Sequence, residues 1–304
     1  MDNTALTQRM KRYYEEVPKT KLVRKIPVCI RLDGKAFHTF LKGFQKPFDD
    51  IFIKTMQDTM KYLCQNIQGC VLGYTQSDEI SLILIDYQKL TTSAWFDYEV
   101  QKICSVSASM ATMVFNRAFE KNVEAESHVF TDEWLDNGEY NPNYKSKELE
   151  DLWLTHKKAL EKGAMFDSRC FNIPKEEVAN LIFWRQFDAS KNSVQMVEQA
   201  YFTQEELNNK NTNQIQDMLI TQKGINWNDY PTYQKRGSCC IKRKFWIDKN
   251  DGCKFSEEYS CELEKAGVNS DNAIKKKEWI IDKNIPIFKG ENRRYINELI
   301  LFKE

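Results

Sequence analysis

Two acidic motifs at the ends of strand-like runs constrain the fold of this chain more than any other feature. The first run, residues 28–34, is mostly apolar, is rich in β-branched residues and ends in Asp33-Gly34. The second motif, residues 77–79, is Ser-Asp-Glu and lies between two apolar runs, as the turn of a hairpin does. If these strands are neighbours in one sheet, the carboxylates of Asp33 and Asp78 converge. The sequence therefore predicts a sheet that carries paired carboxylates at one end.

Paired carboxylates of this kind fit a hard cation such as Mg²⁺ and the phosphates that Mg²⁺ carries. The alternative is a capped turn without any ligand. The chain holds 44 acidic residues, and most neighbouring acids on a protein surface are simply solvated. The residues alone leave both interpretations open.

The composition predicts a globular protein without a strong overall electric field. Of the 304 residues, 41% are hydrophobic and 12% aromatic, which is enough to bury a large core, and the formal net charge is zero. Any contact with RNA must therefore use local patches. The basic pair Lys235-Arg236 is one candidate, although short basic runs are often only solvated faces.

Neither a membrane span nor a secretion signal is evident, so we expect a cytoplasmic protein and no membrane partner. The nine cysteines are an odd number and include no CxxC pair. We therefore expect no disulfide framework, and a zinc site would need an unusual ligand spacing.

The predicted elements follow the order strand, helix, strand, strand, helix, and then strand and helix after an insertion. Apolar residues recur every three or four positions from Phe48 to Ile67 and again from Trp95 to Phe119, which predicts two amphipathic helices. This order indicates an α+β fold of the polymerase-palm or ferredoxin-like type, an antiparallel sheet with helices on one face.

We expect a catalytic palm domain over residues 1–200 and a C-terminal extension over residues 201–304. The palm contains an insertion at about residues 122–162, which are rich in Glu, Asn and Lys. No linker of Pro, Ser or Gly separates the extension from the palm, so the extension should pack on it.

Two features could hold phosphates. The backbone amides of residues 34–38 follow the first acidic motif, and Gly34 allows a ligand to approach closely. On the second predicted helix, a cation and small polar side chains share one face, at Lys102, Ser105, Ser109, Thr112 and Asn116. This row fits a triphosphate or RNA phosphates, and a solvated helix face is the alternative.

Four motifs in order resemble the tRNA-His guanylyltransferase family. They are residues 31–38 (RLDGKAFH), 73–79 (GYTQSDE), 166–169 (FDSR) and 184–189 (WRQFDA). The similarity runs from about residue 8 to residue 196, apart from the insertion. It continues more weakly through residues 224–227 and 235–237.

The resemblance implies a nucleotidyltransferase that adds nucleotides to the 5′ end of tRNA, a 3′-5′ polymerase. The 5′ end is first activated with ATP or GTP, and the 3′-hydroxyl of an incoming nucleoside triphosphate then attacks it. The resemblance also implies two Mg²⁺ ions per active site and a homotetramer.

Matching motif positions imply roles for individual residues. Asp33, the Gly34 carbonyl and Asp78 resemble the family's Mg²⁺ ligands, and Glu79 resembles the acidic neighbour that assists them in catalysis. The expected nucleotide contacts are Asp33, Gly34, Lys35, Ala36, Phe37, His38, Ser77, Asp78 and Lys102. Ser105 and Ser109 are added to them because they share the polar helix face with Lys102. The expected contacts with RNA or nucleotide are Arg31, Arg185, Asp188, Asn192, Lys235 and Arg236.

One departure from the family pattern bears on substrate choice. The eukaryotic guanylyltransferases carry His-Ile-Asn after the Arg-Gln-x-Asp-x segment, whereas this chain has Ser190-Lys191-Asn192. The chain thus resembles the guanylyltransferase-like branch, which repairs tRNA 5′ ends by template pairing. A tRNA-His guanylyltransferase proper is the alternative.

Two other classes share parts of the pattern. A palm-fold nucleotidyl cyclase of the common bacterial kind would carry a Gly-Gly-Asp-Glu-like turn. A non-catalytic RNA-binding module would carry aromatic strands such as Gly-Phe-Gly-Phe-Val. The sequence contains neither motif.

Overall fold

The computed structural model describes residues 3–133, 135–136, 139–140, 146–248, 254–256 and 273–301. The α-helices are α1 (Asn3–Met10), α2 (Phe37–Phe40), α3 (Asp50–Asn66), α4 (Val100–Glu133), α5 (Ser146–Lys162), α6 (Lys175–Tyr201), α7 (Gln204–Leu207), α8 (Thr212–Lys223), α9 (Thr232–Arg236) and α10 (Arg294–Ile300). The strands are β1 (Val28–Gly34), β2 (Cys70–Gln76), β3 (Glu79–Leu84), β4 (Leu135–Asp136), β5 (Glu139–Tyr140), β6 (Phe166–Asn172), β7 (Ser238–Asp248), β8 (Lys254–Ser256) and β9 (Ala273–Asp282).

Seven of the described strands form one antiparallel sheet in the order β6-β1-β3-β2-β7-β8, and β9 also pairs with β7. The register of β1 with β3 places Asp33 opposite Glu79. On the other side of β1, the register with β6 places Asp33 opposite Asp167. Acidic residues of three neighbouring strands therefore lie at the same end of the sheet.

Helices cover both faces of this sheet. Successive residues of a strand point to opposite faces, so Ile30 of β1 packs with α3 and α4, whereas Cys29 packs with α6 and α10. Both residues are fully buried. The predicted α+β fold with an antiparallel palm-type sheet is confirmed, but α6 and α10 lie on the face opposite to α3 and α4, so the helices are not restricted to one face.

The predicted insertion contributes to the main core. The second predicted helix extends beyond Phe119 to the end of α4, because the apolar spacing continues at the buried Val123. In α5, Ala159 is buried in the same core. Residues 134, 137–138 and 141–145 of the predicted insertion lie outside the described residues.

The segment after residue 201 adds to the same sheet. Strand β7 pairs with β2 from Ser238 opposite Thr75 to Ile241 opposite Leu72. The apolar side chains of Phe202 and Leu219 pack together with others near the end of α6. The sheet thus continues from the region of the acidic motifs into this segment, and the domain boundary near residue 200 stays a prediction.

Among the described helices, none combines the length and the apolar character needed to cross a bilayer. The cytoplasmic location stays a prediction.

Candidate active site

Asp33 and Asp78 lie close together at the end of the sheet. Asp33 is near the end of β1, and Asp78 is in the two-residue turn that joins β2 to β3. The Gly34 amide nitrogen donates a hydrogen bond to the Asp78 carbonyl oxygen at 3.1 Å. This bond ties the end of β1 to the hairpin turn.

The electrostatics around Asp78 favour a bound cation. Burial raises the pKa of the Asp78 carboxyl, and the negative charge of Asp33 raises it further, while hydrogen bonds from its own amide and from Ser77 act in the opposite direction. A cation placed between two carboxylates relieves both their repulsion and their loss of hydration.

The donor set fits Mg²⁺. The described part of the chain contains no group of three or more His, Cys, Asp or Glu side chains able to surround an ion. Mg²⁺ needs no such cage, because one or two carboxylates commonly hold it while water and substrate phosphates complete its shell. The carboxylates of Asp33 and Asp78, with the Gly34 carbonyl beside them, are a set of this kind.

Glu79, the residue after Asp78, is paired with an arginine of α6. Its carboxylate is buried and accepts two hydrogen bonds from Arg185, from Nε at 2.7 Å and from Nη2 at 2.8 Å. Such a bidentate pair is among the strongest side-chain contacts in proteins. The carboxylate thus joins the hairpin to α6. Its predicted assistance to the metal in catalysis stays a prediction.

Arg185 is not available for the RNA contact that the sequence predicts. Only 8% of the residue is exposed, and its Nη1 donates to Asp188 Oδ2 at 2.7 Å. Arg31 approaches the same cluster, with its Nε 3.6 Å from Glu79 Oε2. That nitrogen is buried and has no hydrogen-bond partner among the described residues.

Both loops at the site hold a residue in the left-handed backbone region. The φ angle is 56° at Ala36 and 48° at Ser77. Non-glycine residues adopt this conformation rarely, and such strained positions are enriched at active sites and ligand-binding loops. Gly34 is constrained in a different way, by space: a Cβ there would lie 2.3 Å from Cδ2 of Phe37.

The Gly34→Ala variant is expected to lower the free energy of unfolding by about 1–3 kcal/mol, the usual effect of overpacking. The added methyl group would overlap the Phe37 ring, and urea denaturation measures the loss. A Gly34→Ala/Phe37→Leu double variant removes the overlap, so it should lose less than the sum of the two single variants. Full additivity would contradict a direct clash.

The side chains after β1 divide between core and solvent. Phe37 is buried, with its ring centroid 5.4 Å from that of Phe115 and 5.2 Å from that of Phe166. Only the backbone of Phe37 can therefore contact a nucleotide. Lys35 and His38 are exposed beside it and can reach a ligand.

A cavity of about 200 Å³ lies beside the hairpin turn. Its walls combine apolar side chains with a few polar groups, including Phe44, Phe52, Ile53, Met56, Gln76, Ser77, Asn192, Ser193 and Gln234. Ser77 belongs to the wall and is the neighbour of Asp78. Sequence reasoning missed the cavity, because its walls come from segments that are distant along the chain.

Part of the predicted phosphate row has a structural role instead. Thr112 Oγ1 accepts a hydrogen bond from the Phe166 amide at 3.1 Å. Asn116 accepts one from the Ala164 amide at 2.8 Å and donates one to the Ala164 carbonyl at 2.9 Å. These two side chains fix the start of β6.

The rest of the row, Lys102, Ser105 and Ser109, is exposed. Within this chain the structure does not bring Lys102 to the carboxylates of Asp33 and Asp78. Thr112 lies level with Gly34, because both contact Phe166, and Lys102 lies ten residues earlier, about 15 Å along the helix. Its role as a phosphate contact stays a prediction.

The predicted contacts in α6 and in the C-terminal segment are also divided. Lys235 is buried, its Nζ donates to the Asn228 carbonyl at 2.5 Å, and burial lowers its pKa. It is therefore not available to RNA. Arg236 lies over the Trp227 ring at 5.7 Å, whereas Asn192 is exposed at the cavity.

Known proteins resemble this chain in sequence and in fold. A model of the tRNAHis guanylyltransferase family (Thg1) matches residues 7–174. A bacterial tRNA(His) guanylyltransferase (Thg1)-like protein solved in complex with ATP is 37% identical, with 97% of this chain and 99% of that chain covered and a TM-score of 0.68. A structure described in the same terms, in complex with GTP, is 36% identical, with coverage of 98% and 100% and a TM-score of 0.67.

A eukaryotic relative shows the same relationship at lower identity. The tRNA(His) guanylyltransferase of Saccharomyces cerevisiae is 26% identical over 235 residues, which are 72% of this chain and 84% of the yeast protein. The family match spans more than half of the chain and includes both acidic motifs. The chain therefore belongs to the tRNA(His) guanylyltransferase (Thg1) family, whose members are nucleotidyltransferases that act on tRNA.

Proposed function

We propose that the protein is a 3′-5′ polymerase that adds nucleotides to the 5′ end of tRNA. The observation that carries this proposal is the Asp33–Asp78 pair at the end of the sheet, directly beside a cavity. ATP and GTP are the proposed activating substrates, because the similar bacterial proteins were solved with each of them. The homotetramer implied by the family resemblance stays a proposal.

Asp33, Asp78 and the Gly34 carbonyl would hold two Mg²⁺ ions. When bound, Mg²⁺ neutralises charge on the triphosphate and on the transferring phosphoryl group and makes the attacking hydroxyl more acidic. The chain fixes the position of this chemistry through the bond between the Gly34 amide and the Asp78 carbonyl. The backbone amides of residues 35–38 lie next to the same point and are the proposed phosphate contacts.

The cavity is the proposed site for the base of the activating nucleotide. Ser77 lies in the cavity wall next to Asp78, so a base in the cavity places its phosphates near the carboxylates. The apolar walls suit the faces of a heteroaromatic ring, and Gln76 and Asn192 offer amide groups to its edges.

Templated repair is the form of the activity that we favour over a strict tRNA-His guanylyltransferase. In place of His-Ile-Asn, the chain has a Ser190 hydroxyl that donates to the Gln186 carbonyl at 3.0 Å and a Lys191 amine 4.4 Å from the Phe187 ring centroid. Of the three residues, only Asn192 lines the cavity. Nucleotide choice then comes from pairing with the opposite strand of the acceptor stem.

The test uses a set of tRNAs that lack the first 5′ nucleotide and differ in the template base, with all four bases represented. The protein is incubated with each tRNA, Mg²⁺ and labelled nucleoside triphosphates, and the added nucleotide is identified. We expect the addition to follow Watson–Crick pairing on several tRNAs. Addition of guanosine alone, opposite any base and only on tRNA-His, would restore the guanylyltransferase assignment.

A further inference from the structure

One carboxylate beside the cavity accepts hydrogen bonds from three segments of the chain. Asp49 Oδ1 accepts from the Phe52 amide at 2.8 Å, which caps α3. Asp49 Oδ2 lies 3.1 Å from the Gln45 amide and 2.9 Å from Nε2 of His156 in α5. Because the carboxylate already accepts two backbone amides, the histidine nitrogen acts as the donor. Asp49 and His156 are both buried.

Helix α5 contacts the loop between α2 and α3, residues 41–49, at two further points. The His156 ring packs edge-on against Phe44, with 4.6 Å between the centroids. A Cβ at Gly43 would lie 3.2 Å from Thr155 Cγ2, so the helix and the loop backbone are in close contact. The loop is therefore held between α3 and α5.

This loop forms one wall of the cavity. The wall residues from the loop are Leu41, Phe44, Gln45, Lys46, Pro47, Phe48 and Asp49. Three of them, Phe44, Gln45 and Asp49, contact the His156–Asp49 pair directly or belong to it. A displacement of His156 would therefore change the shape of the cavity.

We infer that His156 is a positioning residue for nucleotide binding, and that α5, which belongs to the predicted insertion, shapes the nucleotide cavity through the His156–Asp49 pair. The inference rests on the proposed use of the cavity as the base site. It can fail independently of that proposal, because it concerns which part of the chain holds the cavity wall in place.

Two substitutions separate the hydrogen bond from the packing of the ring. His156→Phe keeps a ring against Phe44 but removes the donor to Asp49. His156→Gln keeps an N–H donor on a flexible side chain. Leu160→Ala is the matched control, because Leu160 is a partly buried residue of the same helix that packs on the main core.

The measurements are ATP affinity by calorimetry, and KM and kcat for 5′-end activation. His156→Phe should weaken ATP binding and raise KM by about tenfold, the scale of one lost charge-assisted hydrogen bond, with kcat nearly unchanged. His156→Gln should bind ATP close to the parent level. Leu160→Ala should unfold at a lower temperature but bind ATP like the parent. If α5 only stabilised the fold, the two variants would instead affect ATP binding in proportion to their losses of stability.

The cavity-filling variant Met196→Trp distinguishes the inference from the proposed function, since Met196 lines the cavity. If Met196→Trp abolishes ATP binding and His156→Phe leaves it unchanged, the inference is wrong and the base site stands. If neither variant changes ATP binding, both the inference and the base site are wrong. Should His156→Phe fail to fold, His156→Leu replaces it in the same comparison.

Discussion

Asp33→Asn and Asp78→Asn are each expected to lower the rate of nucleotide transfer by about a thousandfold or more, which corresponds to ~4 kcal/mol of transition-state stabilisation. Each substitution keeps the shape of the side chain and removes one of the two charges of the Asp33–Asp78 pair. The remaining carboxylate cannot hold the metal ions in the arrangement that two carboxylates provide. Single-turnover assays of 5′-end activation and of nucleotide addition measure both steps.

Asp167→Asn is the matched control. Asp167 lies opposite Asp33 in the sheet, but its carboxylate is exposed and pairs with Arg169 at 3.2 Å. Its loss should leave the rate within about threefold of the parent. A rate within about tenfold of the parent for Asp33→Asn or Asp78→Asn would show that this pair is not the metal site.

The same substitution at Asp78 should raise the stability of the metal-free protein. Burial and the charge of Asp33 raise the pKa of Asp78 in the folded state. Above that raised pKa, the ionised carboxylate is therefore less favourable in the folded than in the unfolded chain. The gain from Asp78→Asn should be present at neutral pH and disappear in acid, where Asp78 is protonated in both states. Urea unfolding in the presence of a chelator measures it.

Arg185→Met is expected to lower the free energy of unfolding by about 3–5 kcal/mol, the usual loss when one partner of a buried ion pair is removed. Glu79 would then be buried without its two hydrogen bonds from Arg185, and its remaining cation, Arg31, lies 3.6 Å away without a hydrogen bond through Nε. The Glu79→Gln/Arg185→Met double variant removes the orphaned charge and should recover part of the loss. Chemical denaturation of the single and double variants measures both effects.

Arg169→Met provides the comparison for an exposed pair. Arg169 and Asp167 have about half of their side-chain surfaces exposed, so this variant should change stability by less than about 1 kcal/mol. Equal losses for Arg185→Met and Arg169→Met would contradict a buried, strongly bonded Glu79.

The sequence predicted those parts of the site that depend on local patterns. The apolar run before Asp33 and the hairpin around Asp78 have strand periodicity, and the acids follow at the strand ends, so their meeting point could be inferred. The match of the motifs to a known family supplied the activity. The antiparallel sheet was also predicted correctly, because the hairpin and the order of the elements can be read from local patterns.

The parts that were not predicted depend on contacts between distant segments. The buried pair between Glu79 and Arg185 joins residues that lie 106 positions apart, and no local pattern connects them. His156 is a single histidine within a charged helix, and no local pattern connects it with Asp49. Which face of the sheet α6 covers is also set by packing, since an amphipathic helix can bury its apolar side against either face.

The contact between β2 and the C-terminal segment bears on the order in which the parts of the candidate site are made. The Tyr74 hydroxyl donates to the Arg236 carbonyl at 2.7 Å, and a Cβ at Gly237 would lie 2.3 Å from the Thr75 carbonyl oxygen. Gly237 and Ser238 belong to the cavity wall. As the chain leaves the ribosome, Asp33 and Asp78 emerge long before this wall does. The proposed metal ligands are therefore made well before the proposed base site is complete, because that site requires synthesis as far as Ser238.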